Sequence, residues 1–201
     1  MLGKILIGVA GVLVLFVAVV ATRSSAYHVE RKLDVAAPAD LVFGVLNDLH
    51  QFAGVLVLFG SPFEKADPNM QKTFEGPTAG VGQSVAWSGN MQVGKGKLTI
   101  EESVPGQKVG MKLEFVKPMA STATCALTLA ATPTGSFVTW SMDGNHNFVG
   151  KAFGMFMDMD KMLGTDIEKG LAQLKTVAEG KQAAITAAAA AQADADKAAA
   201  E

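Results

Sequence analysis

The chain has 201 residues, of which 49% are hydrophobic and 18% are charged, and its net charge is −2. This length suits one ordinary domain with an appendage or two, and the composition is more apolar than that of a typical soluble protein. No basic cluster is present in the sequence, so we do not expect a nucleic-acid partner. The one cysteine, Cys125, excludes an internal disulfide, and the three histidines do not have the spacing of a metal site. No nucleotide-binding glycine motif is present either, and we expect no cofactor.

An unbroken apolar run at residues 5–21 lies between Lys4 and Arg23. About 17 residues at 1.5 Å each span roughly 25 Å, which approaches the thickness of a hydrocarbon core. The apolar core of a cleaved signal peptide is usually shorter, about 7–15 residues, and Arg23 makes a poor cleavage site. We therefore predict an uncleaved single-pass membrane anchor within residues 1–24, with a signal peptide as the alternative. Positive charge flanks both ends, and we favour a domain on the extracytoplasmic side.

Next along the chain, polar and apolar residues alternate over residues 26–35, which predicts a strand. Pro38 suits the first position of a helix that runs to about Asp48, with its apolar side chains on one face. Residues 50–63 are apolar and interrupted by glycine, so they fit either a second short helix or a buried loop.

From residue 71 onward the sequence predicts a series of antiparallel strands separated by turns. The turns are indicated by glycine, proline and asparagine. Each strand has one apolar face, as expected of a sheet that is covered on one side only. The predicted strands are residues 73–76, 83–88, 94–103, 108–116, 121–131 and 137–143.

A long amphipathic helix is predicted over residues 147–179. Apolar residues recur there at spacings of three or four, Asn145 or Asn147 is available as the N-cap, and Gly180 stands at a suitable C-terminal position. Its first half is rich in methionine and phenylalanine, which form an adaptable apolar surface. Residues 181–201 are alanine-rich and are interpreted as a frayed extension of this helix or a disordered tail, to which we assign no function.

This order of elements, one strand, two short helices, six strands and one long helix, resembles the START-like SRPBCC superfamily. The resemblance covers residues 26–180 and is carried by the segments GPTAGVGQSVAWSGN, GKGKLTIEES, KLEFVKP and VTWSMDGNHNFVGKAFGMFMDMDKMLGTDIEKGL. Within the superfamily the chain is similar to bacterial proteins of the polyketide cyclase/dehydrase type. The resemblance implies an α+β helix-grip fold, also known as Bet v 1-like. In it, a curved antiparallel sheet of about seven strands wraps the C-terminal helix and leaves an apolar cavity. The segment AGVLVLFGSPF departs from the family pattern and predicts an unusually apolar cavity mouth.

Candidate binding residues are those expected on the inner faces of the sheet and the long helix. Large apolar side chains there either fill the core or line a pocket. The candidates are Trp87, Leu98, Met111, Phe115, Trp140, Phe153, Phe156, Met157 and Asp160.

Two of the polar residues are candidates for acid–base chemistry. Asp160 is expected on the inward stripe of the helix, where a carboxylate would have a raised pKa or a partner. It would then act as an acid or base or hold a ligand head group; the alternative is a helix-boundary acid that pairs with a lysine or caps a strand. His50 would need a partner that the spacing does not identify. Cys125 is expected to be buried and inert.

Three classes of function follow from these patterns. We favour the binding of a small hydrophobic molecule, such as a lipid, isoprenoid or aromatic compound, by a domain at residues 25–180 held at a membrane by the N-terminal helix. The second class is a cyclase or dehydrase that uses Asp160 or His50, which would require a polar dyad inside the cavity. The third is a non-enzymatic stress or chaperone-interaction module, which would have a filled interior. The oligomeric state does not follow from the sequence.

Overall fold

The computed structural model describes residues 2–58, 61–156 and 158–199. The chain forms a large antiparallel sheet and one small pair of strands. The strands are β1 (Ala26–Val35), β2 (Val57–Leu58), β3 (Ser61–Pro62), β4 (Gln71–Glu75), β5 (Ser84–Ser88), β6 (Lys95–Val104), β7 (Lys108–Lys117), β8 (Ser121–Thr132) and β9 (Gly135–Asn145). The large sheet has seven strands in the order β1-β9-β8-β7-β6-β5-β4, and β2 pairs with β3.

The described residues form six helices. They are α1 (Leu2–Thr22), α2 (Ala39–Leu46), α3 (Leu49–Phe52), α4 (Phe63–Ala66), α5 (Phe148–Phe153) and α6 (Met159–Ala199). Helix α6 packs against β1, β2 and α2. The predicted α+β helix-grip fold is therefore confirmed, with two short helices after the first strand and a long C-terminal helix.

The hydrophobic core lies between the inner face of the sheet and helices α2, α3 and α6. In β6, the buried residues Gly96, Leu98 and Ile100 alternate with Lys97 and Thr99, which are partly exposed. Successive side chains of a strand point to opposite faces, so this alternation places every second residue in the core. Helix α6 contributes Leu171 and Leu174 from the same side, and both are almost fully buried.

The predicted continuous helix over residues 147–179 is wrong in two respects. The chain leaves helical conformation between Phe153 and Met159, so α5 and α6 are separate helices. Each has its own cap: the Asn147 side chain accepts a hydrogen bond from the Gly150 amide at 2.8 Å, and that of Asp158 accepts from the Lys161 amide at 3.0 Å. Two side-chain caps satisfy the free amides of two helix starts, which favours the break.

The helix also continues past Gly180, which had been expected to end it. Nothing lies within 4 Å of the place a Cβ would take at Gly180, so this residue meets no close packing there. The residues beyond it are mainly alanine, the strongest helix former, and α6 extends to Ala199 with its last part exposed. Of the two states expected for the tail, the helical extension is the one observed.

Helix α1 covers the apolar run for which a membrane anchor was predicted. Within the described residues, no helix is both long and apolar enough to cross a membrane, and the predicted anchor is not supported. The segment 50–63, for which helix and loop were both open, contains α3 apart from its first residue, the β2–β3 pair, and only the first residue of α4.

Candidate functional site

A cavity of about 410 Å³ lies between the inner face of the sheet and the region where α5 meets α6. Its wall is made by β6, β7, β8 and β9, with Phe52 from α3 and Leu163 and Ile167 from α6. Exposed residues surround its opening, and they are Gln92, Lys117, Pro118, Met119, Ala120, Ser121, Asn145, Asn147 and Phe153.

The strand register explains how the space of the cavity arises. Leu98 in β6 pairs with Leu113 in β7, which pairs with Ala123 in β8. In the neighbouring row, Met111 pairs with Cys125, and Cys125 pairs with Met142. Opposite residues on one face of an antiparallel pair are neighbours, so each row places a small β8 side chain beside large ones. The small side chains of Ala123 and Cys125 leave the space that the larger ones enclose.

Trp140 of β9 forms part of the wall. Its six-membered ring lies against the backbone of α6 at Gly170, where a Cβ would come within 2.7 Å of Cζ3. The Phe52 ring packs on it at 5.6 Å between centroids, with the planes tilted by 48°. The indole Nε1 is buried and has no hydrogen-bond partner among the described residues. The wall of the cavity thus holds a rigid, apolar side chain with one polar atom that lacks an acceptor.

Tyr27 and His146 also line the cavity. Their rings stack with centroids 4.5 Å apart and planes 25° apart. Burial raises the pKa of Tyr27, helped by its proximity to Cys125 and Asp143, whereas burial lowers the pKa of His146. Both shifts favour the neutral form of each ring near neutral pH. This pair is a stacked contact of two neutral rings.

The structure brings five of the predicted binding residues to the cavity, and these are Leu98, Met111, Phe115, Trp140 and Phe153. Trp87 is absent from the lining: it packs edge-on against Phe115 at 5.7 Å, and its Nε1 donates to the Val93 carbonyl at 3.2 Å. Phe156 is 78% exposed, because it lies in the turn between α5 and α6. Met157 lies outside the described residues.

Asp160 does not face the cavity, and the prediction of an inward carboxylate is wrong. Its side chain is 61% exposed and accepts a hydrogen bond from Arg31 Nη2 at 3.0 Å. The same guanidinium donates through Nε to Glu168 at 2.7 Å, and its pKa is raised by these two hydrogen bonds. The break between α5 and α6 turns the first residues of α6 away from the expected stripe. Asp160 therefore helps to hold α6 to β1, with an arginine in place of the expected lysine.

His50 lies outside the cavity lining and has the partner that spacing did not identify. Its Nδ1 is 3.1 Å from Asp48 Oδ1, and its ring stacks on Phe74 at 4.0 Å. Burial alone would raise the pKa of Asp48, but hydrogen bonds from Gln51, His50 and Gln83 lower it overall. Since the Asp48 carboxylate also caps α3 through the His50 amide at 2.9 Å, this cluster connects helix and sheet.

Sequence reasoning did not assign Ala123, Leu113, Tyr27 or His146 to the site. The alternation of β8 places Ala123 on the inner face, but the enclosing residues belong to other strands and helices. Cys125 is buried, as expected, and it too lines the cavity. Burial raises the pKa of its thiol to about 12, while the neighbouring Trp140 side chain acts in the opposite direction.

We expect Cys125 in the folded protein to resist alkylation by iodoacetamide at about pH 8, because the thiolate is the reactive form. At that pH a thiol with a pKa of about 12 is almost entirely protonated, and the side chain is only 4% exposed. Intact mass spectrometry measures the alkylated fraction, and the same protein unfolded in urea is the control, which should react fully. Equal alkylation rates in the folded and unfolded protein would contradict this expectation.

Comparisons with known proteins agree with this geometry. A family model described as "Polyketide cyclase / dehydrase and lipid transport" matches residues 26–179. No curated protein matches the chain.

Three similar solved structures illustrate the range of proteins that share this fold. Protein CV1439 from Chromobacterium violaceum is 15% identical, with a TM-score of 0.54, and the match covers 76% of this chain and 96% of that one. Major latex-like protein 151 from Panax ginseng is 14% identical, with a TM-score of 0.52 and coverage of 77% and 98%. The di-domain ARO/CYC StfQ from the steffimycin biosynthetic pathway is 12% identical, with a TM-score of 0.55 and coverage of 79% and 52%. At these identities the likeness shows the fold alone. Because the family model spans most of the chain, the protein belongs to the polyketide cyclase / dehydrase and lipid transport family.

Proposed function

We propose that the protein binds one small, mainly apolar molecule, such as a lipid, isoprenoid or aromatic compound, in the cavity between the sheet and α6. The observation that carries this proposal is the volume of about 410 Å³ behind a wall of apolar side chains. Protein interiors are otherwise close-packed, with few voids larger than a water molecule. Ligand sites typically measure about 300–1,000 Å³ and are lined mainly by apolar groups.

Binding is favoured over catalysis because neither acid–base candidate touches the cavity. The side chain of Asp160 is paired with Arg31, and His50 lies beside Asp48 and Phe74. We therefore do not propose either residue as catalytic. The third class, an interaction module with a filled interior, is disfavoured by the volume of the cavity.

The test is to fill the cavity without changing the outside of the sheet. Ala123 is 5% exposed and lines the cavity, whereas Ala130 lies on the same strand and is exposed. We expect Ala123→Phe to weaken binding of N-phenyl-1-naphthylamine to the full chain by at least about tenfold, which is 1.4 kcal/mol. Ala130→Phe adds the same side chain away from the cavity and should leave binding unchanged. Fluorescence titration measures the affinity.

Circular dichroism and thermal melting establish that both variants are folded. The exposed apolar residues of α1 are a second surface to which this dye can adsorb. Such adsorption is the same in both variants, so the difference between them isolates the cavity. If Ala123→Phe is folded and binds the dye as tightly as Ala130→Phe does, the proposed site is wrong.

A further inference from the structure

We propose that the ligand carries a neutral hydrogen-bond acceptor, a carbonyl or ether oxygen, which accepts from Nε1 of Trp140. This inference rests on the proposed function and narrows its ligand class. It makes Trp140 a specificity-determining residue of the cavity.

The starting observation is an unsatisfied donor. Trp140 is 4% exposed, and its Nε1 has no hydrogen-bond partner among the described residues. Buried side-chain polar atoms have a partner in the large majority of cases, so an exception calls for a physical account. Burying an N–H group without an acceptor is unfavourable, and a ligand acceptor would remove that penalty.

The surroundings of the indole place this donor beside a residue that lines the cavity. The Cζ3–Cη2 edge of the ring lies against Gly170 of α6, and Phe52 packs on the ring. The nitrogen is on the other side of the indole, next to Cys125, which also lines the cavity. The Trp140 side chain interacts with the Cys125 thiol closely enough to oppose the rise in its pKa that burial causes, but a thiol sulfur is only a weak acceptor and the contact does not have the geometry of a hydrogen bond.

The charge of the wall limits what the acceptor can be. The described lining is mainly neutral, with Met111, Ala123 and Cys125 among it, and its charged residues are Lys117 and Asp166. Lys117 is exposed at the opening. A ligand carboxylate buried beside Trp140 would lose its hydration without gaining a counter-charge, which is strongly unfavourable. A neutral oxygen loses much less hydration and still accepts the N–H.

The other tryptophan provides an internal comparison. The chain has two tryptophans, and Nε1 of Trp87 already donates to the Val93 carbonyl at 3.2 Å. Trp87 is outside the cavity lining, so a ligand acceptor should affect the indole N–H of Trp140 and leave that of Trp87 unchanged.

The experiment uses two probes of nearly the same shape, fluorene and 9-fluorenone, which differ by a CH₂ group in place of a carbonyl. Affinities of both are measured for the full chain and for Trp140→Phe. We expect the preference for fluorenone over fluorene to fall by roughly tenfold in Trp140→Phe, the usual size of one buried hydrogen bond. Comparing ratios removes the difference in water solubility between the probes, since it is the same for both proteins.

A measurement on the unaltered protein covers the case in which Trp140→Phe does not fold. In ¹H–¹⁵N spectra each tryptophan gives one indole resonance, and Trp87→Phe assigns them. Fluorenone should move the Trp140 resonance downfield, and fluorene should not produce that downfield shift.

The outcomes separate this inference from the proposed function. If both probes bind in the cavity, with an unchanged ratio in Trp140→Phe or no selective shift, the ligand does not accept a hydrogen bond from the indole. The inference is then overturned while the proposed function stands. If neither these probes nor N-phenyl-1-naphthylamine binds, both are overturned.

Discussion

Replacing Leu174 by alanine should lower the free energy of unfolding by about 2–5 kcal/mol, the usual range for a fully buried leucine. Leu174 has 0% exposure and belongs to the core cluster through which α6 packs on the sheet. The change removes buried apolar atoms and leaves a cavity where neighbouring side chains cannot fully collapse. Because the total stability of a domain is about 5–15 kcal/mol, this loss is a large part of it. Urea unfolding followed by circular dichroism gives the value.

Ile185→Ala is the matched control in the same helix. Ile185 is 56% exposed and lies in the extension of α6 beyond the core. Its replacement should change the free energy of unfolding by no more than about 0.5 kcal/mol, as is usual for surface substitutions. Similar losses in the two variants would mean that α6 does not pack on the sheet through Leu174.

Gly94→Ala should lower the free energy of unfolding by more than about 2 kcal/mol, because two unfavourable effects coincide there. Gly94 has a φ of +69°, a left-handed conformation that L-residues adopt at a penalty. Its Cβ position also collides with the carbonyl oxygen of Lys117 at the end of β7. The collision is with backbone, so the turn between β5 and β6 or the end of β7 must move.

Gly80→Ala separates these two effects. Gly80 has a similar φ of +83°, but a Cβ there would meet nothing closer than the Asn47 side chain at 3.7 Å. This variant should show only the conformational penalty, about 1–2 kcal/mol. Chemical unfolding of both variants gives the contribution of the collision as their difference. If Gly94→Ala is at least as stable as Gly80→Ala, the expected collision with the Lys117 carbonyl is wrong.

The sequence predicted the burial that makes replacement of Leu174 destabilising. It did not predict the contact that makes replacement of Gly94 destabilising. The apolar residues at spacings of three and four predicted an amphipathic helix with one inward face, and Leu171 and Leu174 of α6 are buried on that face. That prediction succeeds because the helix period decides which side chains share a face. The sequence placed Gly94 only at the start of the predicted strand 94–103. Its contact with Lys117 depends on the pairing of β6 with β7, which no local pattern contains.

The candidate site likewise has features that the sequence predicted and features that depend on contacts between strands. Alternation along the strands predicted that Leu98, Met111 and Trp140 face inward, since successive side chains of a strand point to opposite faces. The cavity also requires small side chains at Ala123 and Cys125 between large ones on other strands. The cavity is produced by side chains that lie next to each other on neighbouring strands, and the strand register decides which residues these are. The apolar pattern therefore indicated an inner surface and left open whether that surface was filled.

Around α5 and α6, the amphipathic pattern and the capping residues favour different helix boundaries. Only the tertiary structure shows which boundaries form. A single amphipathic stripe predicted one helix, but caps at Asn147 and Asp158 start two. The break leaves Phe156 exposed and turns Asp160 outward to Arg31, a residue far away in the chain. Periodicity predicted the strands and their inner faces, and the resemblance to the SRPBCC superfamily implied the helix-grip architecture. Contacts between distant segments decided the break, the ion pair, the open cavity and the unpartnered Nε1 of Trp140, because each depends on which side chains folding brings together.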